Sequence, residues 1–344
     1  MKIAVLGSGS WGTAMAGMFG QRHEAVTLWA RNATLAERIQ RTRQNNDYLP
    51  DFALPQSVTV THDLTAATSD ADLIIFATPS HAIRQAAASV RSFINPKAIL
   101  VSAAKGLELG SLKRMSEVLA EELPLQSSRI AVLSGPTHAE EVGRKQPTTA
   151  VIAADSRWVA EFVQDAFMLP YFRVYTNPDI IGVEMGGALK NIIALGAGIA
   201  DGLEFGDNAK AALMTRGLAE ITRLGMAMKA NPLTFAGLSG IGDLMVTCTS
   251  RHSRNRRAGI LLAQGKTVEE VQAQTNMVVE GIRSTLAAHE LARRFQVEMP
   301  ITEQIYHVLY QHKSPHEAVL QLMTRSKTHE MEEVVIDTGG WKLQ

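Results

Sequence analysis

Within this 344-residue chain one lysine stands where a cation is costly. In Glu184-Met185-Gly186-Gly187-Ala188-Leu189-Lys190-Asn191, Lys190 is the single lysine of an otherwise apolar helical stretch, and the glycines three and four residues before it open one face to close approach. Desolvation disfavours the charged form of a buried amine and brings its pKa toward neutrality. Such an amine can give a proton to the oxygen left behind when a ketone accepts hydride. Lys190 is the acid/base candidate; the plainer alternative is a lysine that extends its head to solvent. Further on, Leu238-Ser239-Gly240-Ile241-Gly242-Asp243-Leu244 places one carboxylate in a turn of small residues, able to orient an ammonium by charge-assisted hydrogen bonding. Next comes Arg251-His252-Ser253-Arg254-Asn255-Arg256-Arg257, inside a stretch from Leu244 to Val268 that holds no acid. Four arginines with Ser and Asn between them suit phosphate oxygens; a nucleic-acid patch and a solvated basic face are the competing readings.

These residues need elements to aim them. Gly7-Ser8-Gly9-Ser10-Trp11-Gly12 is a G-x-G-x-x-G run, with a predicted strand ending at Leu6 and a helical pattern over residues 13–20. The first glycine allows a tight turn, the second lets backbone approach a pyrophosphate, and the third lets helix pack on strand. An acid that would hold an adenine ribose is missing after the second strand, where Trp29-Ala30-Arg31-Asn32 stands instead. Arg31 suits a 2′-phosphate, which favours NADPH with NADH accepted; a solvated charge at a strand end is the alternative. Lys105, directly after a buried strand and before Gly106, points into the crevice where ligands of parallel sheets lie, unless it is simply an exposed loop lysine.

Apolar runs at residues 3–6, 25–29, 73–77, 99–102, 130–133 and 150–153 alternate with helical patterns such as 82–93 and 112–122, the signature of βαβ units around a parallel sheet. Residues 45–50 read as a loop. From Pro178 onward the pattern turns helical, so the expected fold is α/β: a Rossmann-type doubly wound sheet over residues 1–178, an all-α second domain over 179–325, and a tail of unread role over 326–344 containing Gly339-Gly340 and Trp341. Pro178 is expected to open the first helix of that second half.

Lys+Arg and Asp+Glu number 34 each, so there is no global positive field to drive nucleic-acid binding. One cysteine, Cys248, cannot make an intrachain disulfide, which fits a reducing compartment, with the cytoplasm as the expected location. No Cys/His spacing calls for a metal. The apolar stretch 180–200 nears the length of a membrane span, yet Glu184, Lys190, Asn191 and five glycines mark it as a buried functional helix.

The set Gly7-x-Gly9-x-Trp11-Gly12-Thr13-Ala14, Lys105-Gly106, Ser134-Gly135-Pro136-Thr137, Gly186-Gly187-Ala188-Leu189-Lys190-Asn191, residues 238–244 and Ser253-Arg254-Asn255 resembles the bacterial NAD(P)-dependent glycerol-3-phosphate dehydrogenases from residue 1 to about 325. The resemblance implies reversible reduction of dihydroxyacetone phosphate to sn-glycerol 3-phosphate, feeding phospholipid synthesis. It implies that Ser10, Trp11, Arg31, Ala139, Val278 and Glu280 contact the dinucleotide, that Lys105 and Arg254 touch both ligands, and that Gly135, Thr137, Asp243, Ser253 and Asn255 hold the substrate. Lys190 is then the proton acceptor of glycerol phosphate oxidation, tuned by Asp243 and Lys105. The family usually carries Phe or another apolar residue where this chain has His138. A related β-hydroxyacid dehydrogenase would want a carboxylate anchor instead of the arginine cluster, and a non-catalytic dinucleotide sensor would need no Lys190. A homo-oligomer is compatible with such a fold.

Overall fold

In the computed structural model, which describes residues 1–275, 277–327 and 330, the first half of the chain builds an eight-stranded sheet and the second half is helical. Most of the tail over 326–344, Gly339-Gly340 and Trp341 included, lies outside the described residues. The strands are β1 (Lys2–Leu6), β2 (Ala25–Trp29), β3 (Gln44–Asn45), β4 (Leu49–Ala53), β5 (Val58–Thr61), β6 (Leu73–Phe76), β7 (Ile99–Ser102), β8 (Ile130–Ser134), β9 (Thr148–Ala154) and β10 (Phe172–Asn177). The main sheet runs in the order β5-β2-β1-β6-β7-β8-β9-β10. From β5 through β8 all neighbours are parallel, and the strand order reverses between β1 and β6. Ligands of such sheets sit beyond the carboxyl ends of the strands at that point.

All six expected strands form, and two edge strands and a hairpin were not anticipated. β5 and β10 turn alternate residues inward (Val58 and Val60; Phe172 and Val174), so neither shows the continuous apolar run of the central strands. The sheet is not wholly parallel. β9 pairs antiparallel with β8, because the connection over residues 135–147 carries only the five-residue helix Ala139–Gly143 and turns back without crossing the sheet. Residues 45–50 are not simply a loop: β3 and β4 make a small antiparallel pair, and the fully buried Asn45 donates from Nδ2 to the Ser8 carbonyl at 2.7 Å and to Thr13 Oγ1 at 2.8 Å. Asn45 thereby braces the glycine loop. The helix expected over 112–122 begins only at Met115, since Leu112 takes a left-handed φ of 61° that no helix continues.

The sheet ends at Asn177 and the long helix Ile180–Gly202 begins three residues later. Pro178 does not open it. It lies one residue outside Asp179, the N-cap, whose side chain accepts from Gly182 N. Almost every residue of this helix is buried, so although it is long and apolar enough to cross a bilayer, it is the core of the helical half. Around it pack Gly206–Ala227, Asp243–Thr249, Arg254–Ala263 and Glu280–Phe295. Its crossing with Arg254–Ala263 is backbone against backbone. A Cβ at Gly198 would lie 2.0 Å from the Arg256 carbonyl oxygen, and one at Gly259 would lie 2.1 Å from that of Leu195. This crossing brings Ser253, Arg254 and Asn255 beside Lys190 and Asn191.

Candidate functional site

At the carboxyl edge of the sheet the two halves enclose a cleft of about 710 Å³. Its walls are residues 7–11 after β1, Arg31 after β2, Thr78 and Pro79 after β6, Lys105 after β7, and residues 137–140 after β8. From the helical half come Lys190, Asn191, Thr247, residues 252–255, Val278 and Glu280. Nearly every predicted site residue therefore meets in one place. Gly12, Gly135 and Asp243 do not line it; they lie behind residues that do.

The glycine loop divides its labour. Gly7 holds φ at 119°, and a Cβ on Gly12 would stand 1.8 Å from the Gly7 carbonyl oxygen, so turn and helix packing demand both. Gly9 has nothing within 4 Å of where its Cβ would be. The fold places no steric demand for glycine there, and the open space lies on the cleft side. Gly9 is the N-cap of the helix Ser10–Phe19 and offers no capping side chain, which leaves first-turn N–H groups for an anion. These residues fit a pyrophosphate. Arg31 is exposed on the cleft wall beyond β2, next to Asn32, whose side chain caps the helix Ala33–Thr42.

Behind the opposite wall one carboxylate serves two lysines. Asp243, 1% exposed, opens the helix Asp243–Thr249. Its Oδ2 accepts from Lys105 Nζ at 2.8 Å and its Oδ1 pairs with Lys190 Nζ. Lys190 also donates to Thr247 Oγ1 at 2.6 Å, and that hydroxyl donates to the Asp243 carbonyl at 2.6 Å. Lys105 is held further by the Gly135 carbonyl at 2.8 Å. Burial pulls Lys190 down to about 8; the Asp243 charge opposes the fall and the Lys105 charge adds to it. Burial alone would raise Asp243, but the two ammonium groups outweigh it and hold the carboxyl below its usual range. Lys190 does not extend its head to solvent, for it is 5% exposed, and Lys105 is no free loop lysine. The set carries two cations against one anion, so the surplus positive charge faces the cleft.

The arginine cluster does not act as a unit. Arg256 turns away to Asp201, which also takes Lys210, while Arg251 and Arg257 are exposed. Only Arg254 enters the cleft, donating from Nη1 to the Val278 carbonyl at 3.1 Å. Burial lowers its pKa, against the opposing charges of Glu280 and Glu140. Ser253 caps its helix by accepting from Arg256 N, and Asn255 bridges Asn191 Oδ1 and Gly281 N. Helical periodicity explains the split, because residues 251–257 cannot all face one side of a helix that starts at 254. His138, in the wall next to Thr137, lies 6.1 Å ring to ring from His252; burial, aided by the Lys190 charge, brings it down to about 4 and leaves it neutral.

Thr247 and the Ser80–Glu280 contact were not among the expected features of the site, although Ser80 falls in Thr78-Pro79-Ser80-His81, a small, polar strand end on the ligand side of the sheet. Thr247 had a readable signal, since Asp243 and Thr247 are four apart and share a helix face. The pairing of Ser80 had none: its hydroxyl and N–H meet Glu280, 200 positions away.

Comparison with known proteins identifies the family of both halves. Residues 2–160 match the model of the NAD-dependent glycerol-3-phosphate dehydrogenase N-terminus and residues 179–320 that of its C-terminus. The glycerol-3-phosphate dehydrogenase [NAD(P)+] of Pelotomaculum thermopropionicum is 57% identical over 336 residues, covering 97% of this chain and 96% of that protein. Its Bacillus subtilis counterpart is 54% identical over 335 residues, 97% of each. The crystal structure of glycerol-3-phosphate dehydrogenase from Coxiella burnetii superposes with a TM-score of 0.90 at 37% identity, covering 94% of this chain and 99% of that one. With one cleft that joins a dinucleotide loop, a carboxylate-bridged lysine pair and a half-buried arginine, and with both halves matched, the chain belongs to the NAD-dependent glycerol-3-phosphate dehydrogenase family.

Proposed function

We propose that this protein catalyses the reversible reduction of dihydroxyacetone phosphate to sn-glycerol 3-phosphate with NADPH, or NADH, as donor, and so supplies the backbone of glycerophospholipids. The observation that carries the reading is the Lys190–Asp243–Lys105 set facing the same cleft as the glycine loop and Arg254. When bound, the dinucleotide supplies the hydride. The chain's own residues do the rest. Residues 7–12 and the N-terminus of the helix Ser10–Phe19 seat the pyrophosphate, and Arg31 reaches toward a 2′-phosphate. Arg254, with Ser253, Asn255 and Thr137 near it, holds the substrate phosphate, so that remote binding energy positions the carbonyl. Lys190 gives its proton to the carbonyl oxygen in reduction and takes one from the hydroxyl in oxidation; Lys105 polarises the same oxygen. Asp243 and Gly135 act through these lysines, fixing where the ammonium groups point.

In this reading residues 1–178 bind the dinucleotide and 179–325 supply the proton and the phosphate clamp. The lone, buried Cys248 fits a reducing, cytoplasmic setting. The test is to mix protein and NADPH with a panel of phosphorylated ketones and keto acids and follow nicotinamide absorbance. Dihydroxyacetone phosphate should be the preferred substrate. Preference for a keto acid would make the protein a β-hydroxyacid dehydrogenase, and binding without turnover would make it a sensor. Lys190→Ala should abolish turnover and leave NADPH binding intact; activity above about a tenth of the unaltered enzyme would sink the assignment of Lys190, since general acid catalysis contributes about 10² to 10⁴.

A further inference from the structure

Glu280 is the first residue of the helix Glu280–Phe295, yet its side chain does not serve that helix. It crosses to the sheet half, where Oε1 accepts from Ser80 N at 3.0 Å and Oε2 accepts from Ser80 Oγ at 2.8 Å. Ser80 is 2% exposed and opens the three-residue turn Ser80–Ala82 that precedes the helix Ile83–Val90, so its N–H is one the turn itself leaves without a partner. A bidentate, charge-assisted contact of this kind is among the stronger polar contacts a protein makes. A third segment closes around it. At Gly106, directly after Lys105, a Cβ would lie 2.7 Å from both Cβ and Oγ of Ser80 and 2.9 Å from Glu280 Oε2, so only glycine lets the three strands of chain meet.

The other side of the same segment is anchored to the helical half. The Val278 carbonyl accepts from Arg254 and Gly281 N donates to Asn255 Oδ1. Residues 278–281 thus form a partition, pinned on one face by Ser80 and on the other by the substrate arginine's helix, with Val278 and Glu280 in the cleft wall.

We infer that Ser80 is a positioning residue for the dinucleotide: by clasping the Glu280 carboxylate it fixes the partition of residues 278–281 against the cofactor side of the cleft. Ser80 acts through Glu280 and need not touch the ligand. The clasp rests on the dinucleotide reading of the cleft, and its test uses NADPH alone, without substrate. NADPH is titrated by fluorescence into the unaltered protein, Ser80→Ala, Glu280→Gln and the double variant. Ser80→Ala should weaken NADPH binding by about threefold or more, a part of the roughly tenfold worth of one hydrogen bond to a charged group because the serine acts through Glu280, and should add less than about twofold when Glu280 is already Gln. A purely structural serine would weaken both backgrounds alike. The proposal is overturned if Ser80→Ala changes affinity by less than about threefold in the unaltered background, or if its effect persists at about twofold or more in the Glu280→Gln background. Failure of the dinucleotide reading would look different: the unaltered protein itself would not bind NADPH.

Discussion

Replacing Asp243 with Asn changes one charge and almost no volume. The carboxylate is 1% exposed and is shared by Lys105 and Lys190. Without its charge two ammonium groups are left in a buried space, and the least costly response is for Lys190, already brought down to about 8, to lose its proton. An opposite charge at hydrogen-bonding range moves a titration by about 1 to 3 pH units, and we take about two here. At pH 7 the ammonium share of Lys190 then falls from about nine-tenths to about one-tenth, a tenfold loss of the acid. Misplacement of the amine multiplies that loss, because a positioned acid is worth about 10² to 10⁴, so reduction at pH 7 should fall by about 10² to 10³ overall. The sign is fixed by the roles. Reduction consumes the ammonium form and declines as pH rises through about 8 in the unaltered enzyme, whereas oxidation uses the free amine and rises through the same range. In Asp243→Asn both limbs should move down by about two pH units. Initial rates of nicotinamide absorbance change from pH 5 to 10, in both directions, read this directly. Retention of more than about a tenth of the activity at pH 7, or loss of activity with the limbs in place, would refute the charge argument.

Two further substitutions separate what the fold needs from what the ligand needs. Gly9→Ala meets no atom within 4 Å and its φ of −68° is open to alanine, so the melting temperature should stay within about 2 °C while the KM for NADPH rises about tenfold or more; an unchanged KM would mean that nothing approaches that backbone. Arg31→Ala should raise the KM for NADPH about tenfold and leave that for NADH within about twofold, the size of one charge-assisted contact to a phosphate; equal effects on both cofactors would remove Arg31 from 2′-phosphate recognition.

Much of the site was legible because its chemistry is local in sequence. The glycine loop needs its three glycines at fixed spacing between a strand and a helix, and Lys190 is conspicuous as the lysine of an apolar helix. What could not be read depended on partners far apart in the chain. Asn45 looked like part of a polar loop, yet it is fully buried under the glycine loop because β3 and β4 fold it back onto Ser8 and Thr13. The arginine cluster looked like one phosphate site, and Asp201 draws Arg256 out of it. The antiparallel turn of β9 followed from the short path of residues 135–147, which no periodicity reveals.

By itself the sequence determined the alternation that builds the sheet, the dinucleotide loop at its first turn, the helical second half and the lysine buried within it. Apolar periodicity and glycine spacing are properties of neighbouring residues, and the physics that reads them is short in range. Tertiary structure alone decided that Lys105, Lys190 and Asp243 share one buried ion cluster, that a single arginine of four faces the cleft, and that Ser80 holds Glu280 across 200 positions. Charges that meet only after folding are tuned by burial and by each other, and neither term exists until the two halves of the chain have closed on the cleft.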